Sequence, residues 1–267
     1  MDIRVLAVRV RIFAALTLVV LAWPLTAREG AGAPVLPPAP EAVAPPIAPE
    51  PERPITAAAI PAASNRFSRS AWPASVLRTI DAEVFNLALS AAACAVRAGD
   101  VEDPSTLTVI DYSKPSSAKR LWVFDLRSRR ILYEELVAHG QGSGGNYATQ
   151  FSNQSETHRT SLGLFVTGET YVGTNGYSLR LDGLDDGVND NARDRAIVMH
   201  GAPYVSDEFV KTNGRLGRSW GCPALRQGIA RELIDRVKGG NLVFSYYPDQ
   251  NWLNASPYLG DCAAAAE

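Results

Sequence analysis

A chain of 267 residues with 26 Lys and Arg against 28 Asp and Glu carries a net charge of −2, and the two signs are interspersed. That balance excludes the clustered basic footprint of a nucleic-acid binder. Its three cysteines, Cys94, Cys222 and Cys262, are an odd number, so one thiol stays free of any pairing within the chain.

The opening "MDIRVLAVRVRIFAALTLVVLAWPLTA" places Arg4, Arg9 and Arg11 before an apolar run from Ile12 to Trp23, with small Ala27 after it. The run is too short to span a bilayer comfortably, and the pattern is that of a secretory leader. Residues 1–27 are expected to be a signal peptide or, if uncleaved, an N-terminal anchor. The protein is then exported to the periplasm or cell envelope, and any membrane contact goes through this segment alone. Ten of residues 34–61 are proline. Residues 28–70 are therefore read as a Pro/Ala-rich disordered linker, extended and without a backbone ladder.

Residues 71–100 are read as an N-terminal helix packing on the domain. Val76, Leu77, Ile80, Val84, Leu87, Ala88 and Ala91 recur in steps of three and four over 73–99. Pro73 suits the first turn and Gly99 the end. The texture then changes to strands at 107–112, 120–126, 131–138, 163–173, 177–184, 195–202 and 241–247. The second and third read as a hairpin across "RSRR". Leu225, Ile229, Leu233, Ile234 and Val237 put a short helix between Pro223 and Lys238. The sum is a mainly β domain over 101–250, a β-sandwich or mixed sheet, followed by a C-terminal tail at 251–267.

The chemistry centres on "GRSWGCPALR", 217–226. Cys222 lies between Gly221 and Pro223 at the start of the expected helix. A helix N-terminus offers free N–H groups and positive charge, which lower a thiol's pKa. Gly221 lets the backbone bend so that nearby N–H groups converge on one oxygen. If two cysteines pair in an exported chain, Cys94 and Cys262 are the expected pair, leaving Cys222 free. A thiol nucleophile needs a base. His200 ends the apolar strand "AIVMHG" and Gly201 turns the chain after it. His139 sits at a similar strand end and is the rival base. His158, in "SETHRT", reads as a solvated surface residue.

Three other patterns fail on physical grounds. "SSAK" at 116–119 has its serine before a strand, where an S-x-x-K enzyme needs it opening a helix. "GQGSGG" at 140–145 lacks the helix and acid of a dinucleotide site and reads as a flexible loop. "DGLDDGVNDNARD" at 182–194 holds five aspartates but fits no EF-hand spacing, so it reads as a solvated acidic loop. No metal or organic cofactor is expected.

The segment "HGAPYVSDEFVKTNGRLGRSWGCPA" resembles the active-site segment of the YkuD-type L,D-transpeptidases, with His200-Gly201 and Ser219-Trp220-Gly221-Cys222 in the family's order. "TSLGLFVTGETYVG" and "YSLRLDGLDDGVNDNARDRAIVMHGA" resemble its divergent branch, the murein L,D-transpeptidase catalytic domain family. The likeness spans roughly 105–248. It implies an L,D-transpeptidase-like sheet and a cysteine acyltransferase acting on peptidoglycan peptide stems through a thioester. Transfer to an amine gives a 3→3 cross-link; transfer to water makes the protein an L,D-carboxypeptidase. Cys222 would be the nucleophile, His200 the base and Ser219 the residue that orients it, with the N–H groups of Gly221 and Cys222 holding the oxyanion. Carbapenem-type compounds are the implied inhibitors. The sequence departs from the family where Trp220 replaces a histidine and Ala224 an arginine. Arg218 or Arg215 is the candidate replacement cation; these two with Trp220 and Gly201 form the expected substrate-binding set. The loop 204–217 is read as a lid or as an inert surface loop. Two other functions remain open: an inactive peptidoglycan-binding or scaffold protein of the same fold, and a cysteine peptidase or amidase of the envelope.

Overall fold

A computed structural model of the chain describes residues 65–260 and residue 262. The expected leader at 1–27 and the expected linker up to residue 64 lie outside the described residues. The last stretch assigned to the linker, 65–70, belongs instead to two short 3-10 turns, Asn65–Phe67 and Arg69–Ala71.

The elements run α1 (Ala74–Leu77), α2 (Ala82–Ala98), β1 (Thr106–Asp111), β2 (Leu121–Asp125), β3 (Arg130–Glu135), β4 (Val137–Ala138), β5 (Gly163–Gly173), β6 (Gly176–Gly183), β7 (Val198–Ala202), α3 (Asp207–Asn213), β8 (Ala224–Arg226), α4 (Gln227–Val237), β9 (Leu242–Tyr246) and α5 (Gln250–Ala255). The continuous helix expected over 73–99 is broken. Asp81 is the reason: its carboxylate accepts from the N–H groups of Glu83 and Val84, which fixes it as the N-cap of α2 in non-helical backbone. Gly99, at φ 83°, closes α2 in the left-handed region that favours glycine.

All nine strands form one mixed sheet in the order β3-β2-β1-β9-β5-β6-β7-β8-β4. β1 pairs parallel with β9 and β7 parallel with β8; the other neighbours are antiparallel. The two edge strands, β3 and β4, are separated in sequence by Leu136 alone. The chain thus leaves one edge of the sheet and enters the other within a single residue. The sheet must therefore curl until its edges nearly meet, which removes most of the open-edge liability. Arg226 pairs with Glu135 across that seam at 3.1 Å.

β1 and β9 are buried at every position; β9 reads accordingly as an apolar run, whereas β1 alternates in sequence and buries Thr106, Thr108 and Asp111 along with its apolar residues. Helices α2 and α4 both pack on β1. On α4 the buried residues are Ala230, Leu233, Ile234 and Val237, the i, i+3, i+4, i+7 stripe of a core-facing helix. Trp72, Phe85 and Phe124 meet with ring centroids 4.7 to 5.6 Å apart and tie α2 to β2.

The C-terminal segment is part of the core rather than a tail. Trp252 and Tyr258 are buried, and Cys262 forms a disulfide with Cys94, Cα atoms 5.7 Å apart. The aspartate-rich loop also differs from expectation. Asp185 is buried and accepts the N–H of Leu164 at 2.6 Å, while Asn189 donates to the carbonyls of Leu162 and Leu164. These two side chains hold the start of β5, where a solvated loop would hold nothing. Among the described residues no helix is long and apolar enough to cross a membrane.

Candidate active site

Cys222 lies in the loop between α3 and β8, and the loop is pinned on both sides. Ser219 N–H donates to His139 O at 3.0 Å and Gln141 N–H to Ser219 O at 2.8 Å. Thr160 Oγ1 donates to Gly221 O at 3.3 Å. A Cβ on Gly140 would lie 2.3 Å from His158 O and 2.8 Å from Gly221 Cα, so this glycine is required for close approach. The stretch read as a flexible glycine loop is thus the packed wall behind the cysteine. Gly221 itself has φ +118°, and a Cβ there would meet Arg159 O at 2.9 Å.

The expected helix start at Pro223 is not there. Residues Ala224–Arg226 form β8 and the helix begins at Gln227. The thiol is therefore too far from the helix end for its dipole, which acts within the first turn. Burial dominates and pushes the Cys222 thiol up; the amides of Val198 and of Cys222 itself and the charge of Arg195 pull the other way. Cys222 is the free cysteine of the described chain. Its Sγ accepts from Val198 N–H at 3.5 Å and faces Ala196 O at 3.7 Å.

His200 lies on β7, opposite Ala224 of β8. Continuing that parallel register by two residues sets Cys222 level with Val198, in accord with the bond from the Val198 amide to Sγ. His200 is therefore two residues further along the adjacent strand, on the same face of the sheet. Its Nδ1 lies 3.0 Å from Gly201 O. A carbonyl only accepts, so Nδ1 carries the proton and Nε2 is the basic nitrogen of the neutral ring. Burial lowers the His200 pKa, so the ring is neutral at pH 7. No hydrogen bond joins His200 to Cys222 in this arrangement, nor does Ser219 reach His200. Ser219 Oγ donates to Cys222 O at 2.6 Å and accepts Gly221 N–H at 3.2 Å. Ser219 thus shapes the cysteine turn, the Gly201 carbonyl orients the histidine, and the Gly221 N–H is spent within the turn.

The rival base is disarmed. His139 is fully buried, and Arg120 Nη2 donates to its Nδ1 at 2.8 Å. Burial, followed by the Arg120 charge, pushes its pKa down to about 3. The unfolded chain, with an ordinary histidine, binds that proton from about pH 6.5 downward, whereas the folded chain does not until about 3. Stability from this group is full above the unfolded value and falls as pH drops through that window, by at most about 1.4 kcal/mol per pH unit. Urea denaturation between pH 7 and 4 checks this: His139→Gln should lose stability less steeply than wild type.

The expected substrate-binding residues scatter. Gly201 faces α4, where a Cβ would meet that of Ala230 at 2.8 Å. Arg218 is exposed and donates to Gly144 O; Arg215 donates to Leu216 O. Trp220 is 71% exposed and stacks on His158, centroids 4.9 Å apart at 10°. His158 is thus half-buried under the indole, not a solvated surface residue. The stack borders a cavity of about 210 Å³ that also includes Glu156, Asp194, Arg195 and Ala196. Sequence reasoning missed Arg195, whose only local signal is its place just before the apolar strand leading to His200. The expected lid region holds α3, capped by Ser206 Oγ on the Phe209 amide, with Leu216 buried behind it. Among the described residues no group of His, Cys, Asp or Glu is placed to hold a metal ion.

No curated protein matches the chain. Among solved structures, an L,D-transpeptidase from Mycobacterium smegmatis is 15% identical, with 54% of this chain and 59% of that one covered and a TM-score of 0.34. The helical cell shape determining protein Pgp2 from Campylobacter jejuni is 12% identical, with 62% and 53% covered and a TM-score of 0.39. The chain therefore spans less than two thirds of the length of either structure. The model of the L,D-transpeptidase catalytic domain family matches residues 77–246, well over half of the chain and including the whole sheet with Cys222 and His200. By that match the chain belongs to the L,D-transpeptidase catalytic domain family.

Proposed function

We propose that the protein is an exported cysteine acyltransferase that acts on the peptide stems of peptidoglycan. The observation that carries the reading is the pairing of residues at the β7–β8 seam. The free thiol of the chain sits one strand away from a histidine whose Nδ1 proton is committed to Gly201 O. That leaves Nε2 as a base directed by the fold.

The steps follow from those groups. Cys222 Sγ attacks the stem carbonyl and its proton goes to His200 Nε2. The Cys222 N–H, which at rest acts on its own sulfur, is the donor that turns to the oxyanion once that sulfur has bonded to carbon. Collapse breaks the C–N bond; the departing amine takes the proton from His200, and the acyl group stays on sulfur as a thioester. An amine of a second stem, or water, then attacks the thioester. His200 accepts the attacker's proton and returns it to the leaving thiolate. An amine acceptor gives a cross-link, water a shortened stem.

A second reading, a peptidoglycan-binding protein without turnover, draws support from the missing Cys222–His200 hydrogen bond and from the raised thiol pKa. Mass analysis of tetrapeptide-bearing muropeptides separates the two. Incubated with the protein, they should lose the terminal residue, and dimers should form when stems supply the amine. Binding with unaltered muropeptides favours the second reading.

A further inference from the structure

Arg195 is a half-buried guanidinium with no carboxylate partner among the described residues. Its Nη1 donates to Ser152 O at 2.6 Å and to Ser161 Oγ, and its Nη2 donates to Arg159 O at 2.6 Å. A guanidinium has five N–H groups, so Nε–H and one Nη2–H remain unspent. Burial works against its charge, and the offsetting influence is Cys222. The head group is held rigidly at the cysteine turn: Nη2 lies 3.5 Å from where a Cβ on Gly221 would stand.

The surroundings are those of a built site. Arg195 forms one side of the cavity of about 210 Å³ and the Trp220–His158 stack another. Among the described residues four non-glycine residues adopt left-handed backbone, and three of them, Glu156, His158 and Ala196, line this cavity. Such conformations cost energy and collect where function demands them. Ala196 also turns its carbonyl to the Cys222 sulfur.

We propose that Arg195 is the specificity-determining residue of this site, taking a carboxylate of the acyl-donor peptide in the cavity between its guanidinium and the Trp220 indole. Two unspent donors on a planar, immobilised fork match the two oxygens of a carboxylate. Glu156 and Asp194, exposed on the same cavity and without ion-pair partners among the described residues, oppose a phosphate dianion more than a singly charged carboxylate. The apolar part of the ligand packs on the exposed indole.

The inference rests on Cys222 being the reacting thiol, and the test reads the two apart. Cys222 alkylation is followed by intact mass with iodoacetate and with the neutral iodoacetamide. The ratio of the two rates cancels the thiolate fraction and reports recognition of the carboxylate. Relative to free cysteine in the same buffer, wild type should favour iodoacetate by about tenfold or more. Arg195→Gln should return the ratio to that of free cysteine and Arg195→Lys should keep most of it. On wild type alone, sodium acetate should slow iodoacetate when compared with chloride at equal ionic strength. A wild-type ratio equal to that of free cysteine, or no effect of acetate, overturns the role of Arg195. A Cys222 inert to both reagents in the folded protein overturns the nucleophile and this inference with it.

Discussion

Cys222→Ala should reduce the proposed stem cleavage and cross-linking to the level seen without protein. Cys94 and Cys262 are joined to each other, so no second thiol stands in. The change is small in volume and the turn keeps its Ser219 bonds, so circular dichroism should show the wild-type fold. The same site sets a pH dependence. Burial holds the thiol above its ordinary value, and the neighbouring histidine is neutral at pH 7. The resting pair is therefore thiol and imidazole, not thiolate and imidazolium. Modification of Cys222 by iodoacetamide should climb by about tenfold per pH unit from 7 upward, as the thiolate fraction does below a thiol's pKa. A plateau reached by pH 7 would mean a preformed ion pair and contradict this electrostatic picture.

His200→Gln should slow acylation of Cys222 roughly 10²- to 10⁴-fold at pH 7, the usual worth of a placed general base. Glutamine can still donate to the Gly201 carbonyl, so it preserves the bond that His200 makes while removing the proton acceptor. The deficit should shrink as pH rises, because a thiol that ionises on its own needs no base. Single-turnover kinetics with an acylating substrate across pH 6 to 10 would show it. His139 offers no substitute, since Arg120 occupies its Nδ1 and it stays neutral down to about pH 3. A His200→Gln variant as fast as wild type at neutral pH would remove His200 from the chemistry.

The strands were legible because their apolar pattern is local. The run 163–173 coincides with β5, and 107–112 and 241–247 fall within a residue of β1 and β9. What failed depended on distant partners. Ala224–Arg226 continues a helical pattern by composition, yet it becomes β8 because β7 offers a parallel edge. That pairing withdrew the helix dipole from the thiol, and burial then set the direction of its pKa, opposite to the one expected. Leu136 shows no signal for the break between β3 and β4, because closing the sheet is a property of all nine strands.

The site was read in part for the same reason. Cys222 and His200 announce themselves by glycine neighbours and a strand end. The roles given to Ser219, Gly221 and Gly201 shifted among backbone groups that no side-chain pattern reveals. The carbonyl of Gly201, not the Ser219 hydroxyl, meets the histidine. The His158–Trp220 stack and the placement of Arg195 join residues far apart in sequence, and Arg195 opens the run read as a strand, where nothing local marks it as a site residue. Asp185 and Asn189 were hidden in a stretch whose composition suggested solvent, though both are buried and hold β5.

The most direct test of a nucleophilic Cys222 is intact-protein mass spectrometry after incubation with a carbapenem, wild type beside Cys222→Ala. Opening of the β-lactam ring by the thiol adds the whole inhibitor mass to the protein. The predicted result is a single adduct on wild type and none on Cys222→Ala. An unmodified wild type, folded and with its thiol reduced, would contradict an acyl-transfer site at Cys222 and bring the wall-binding reading to the front.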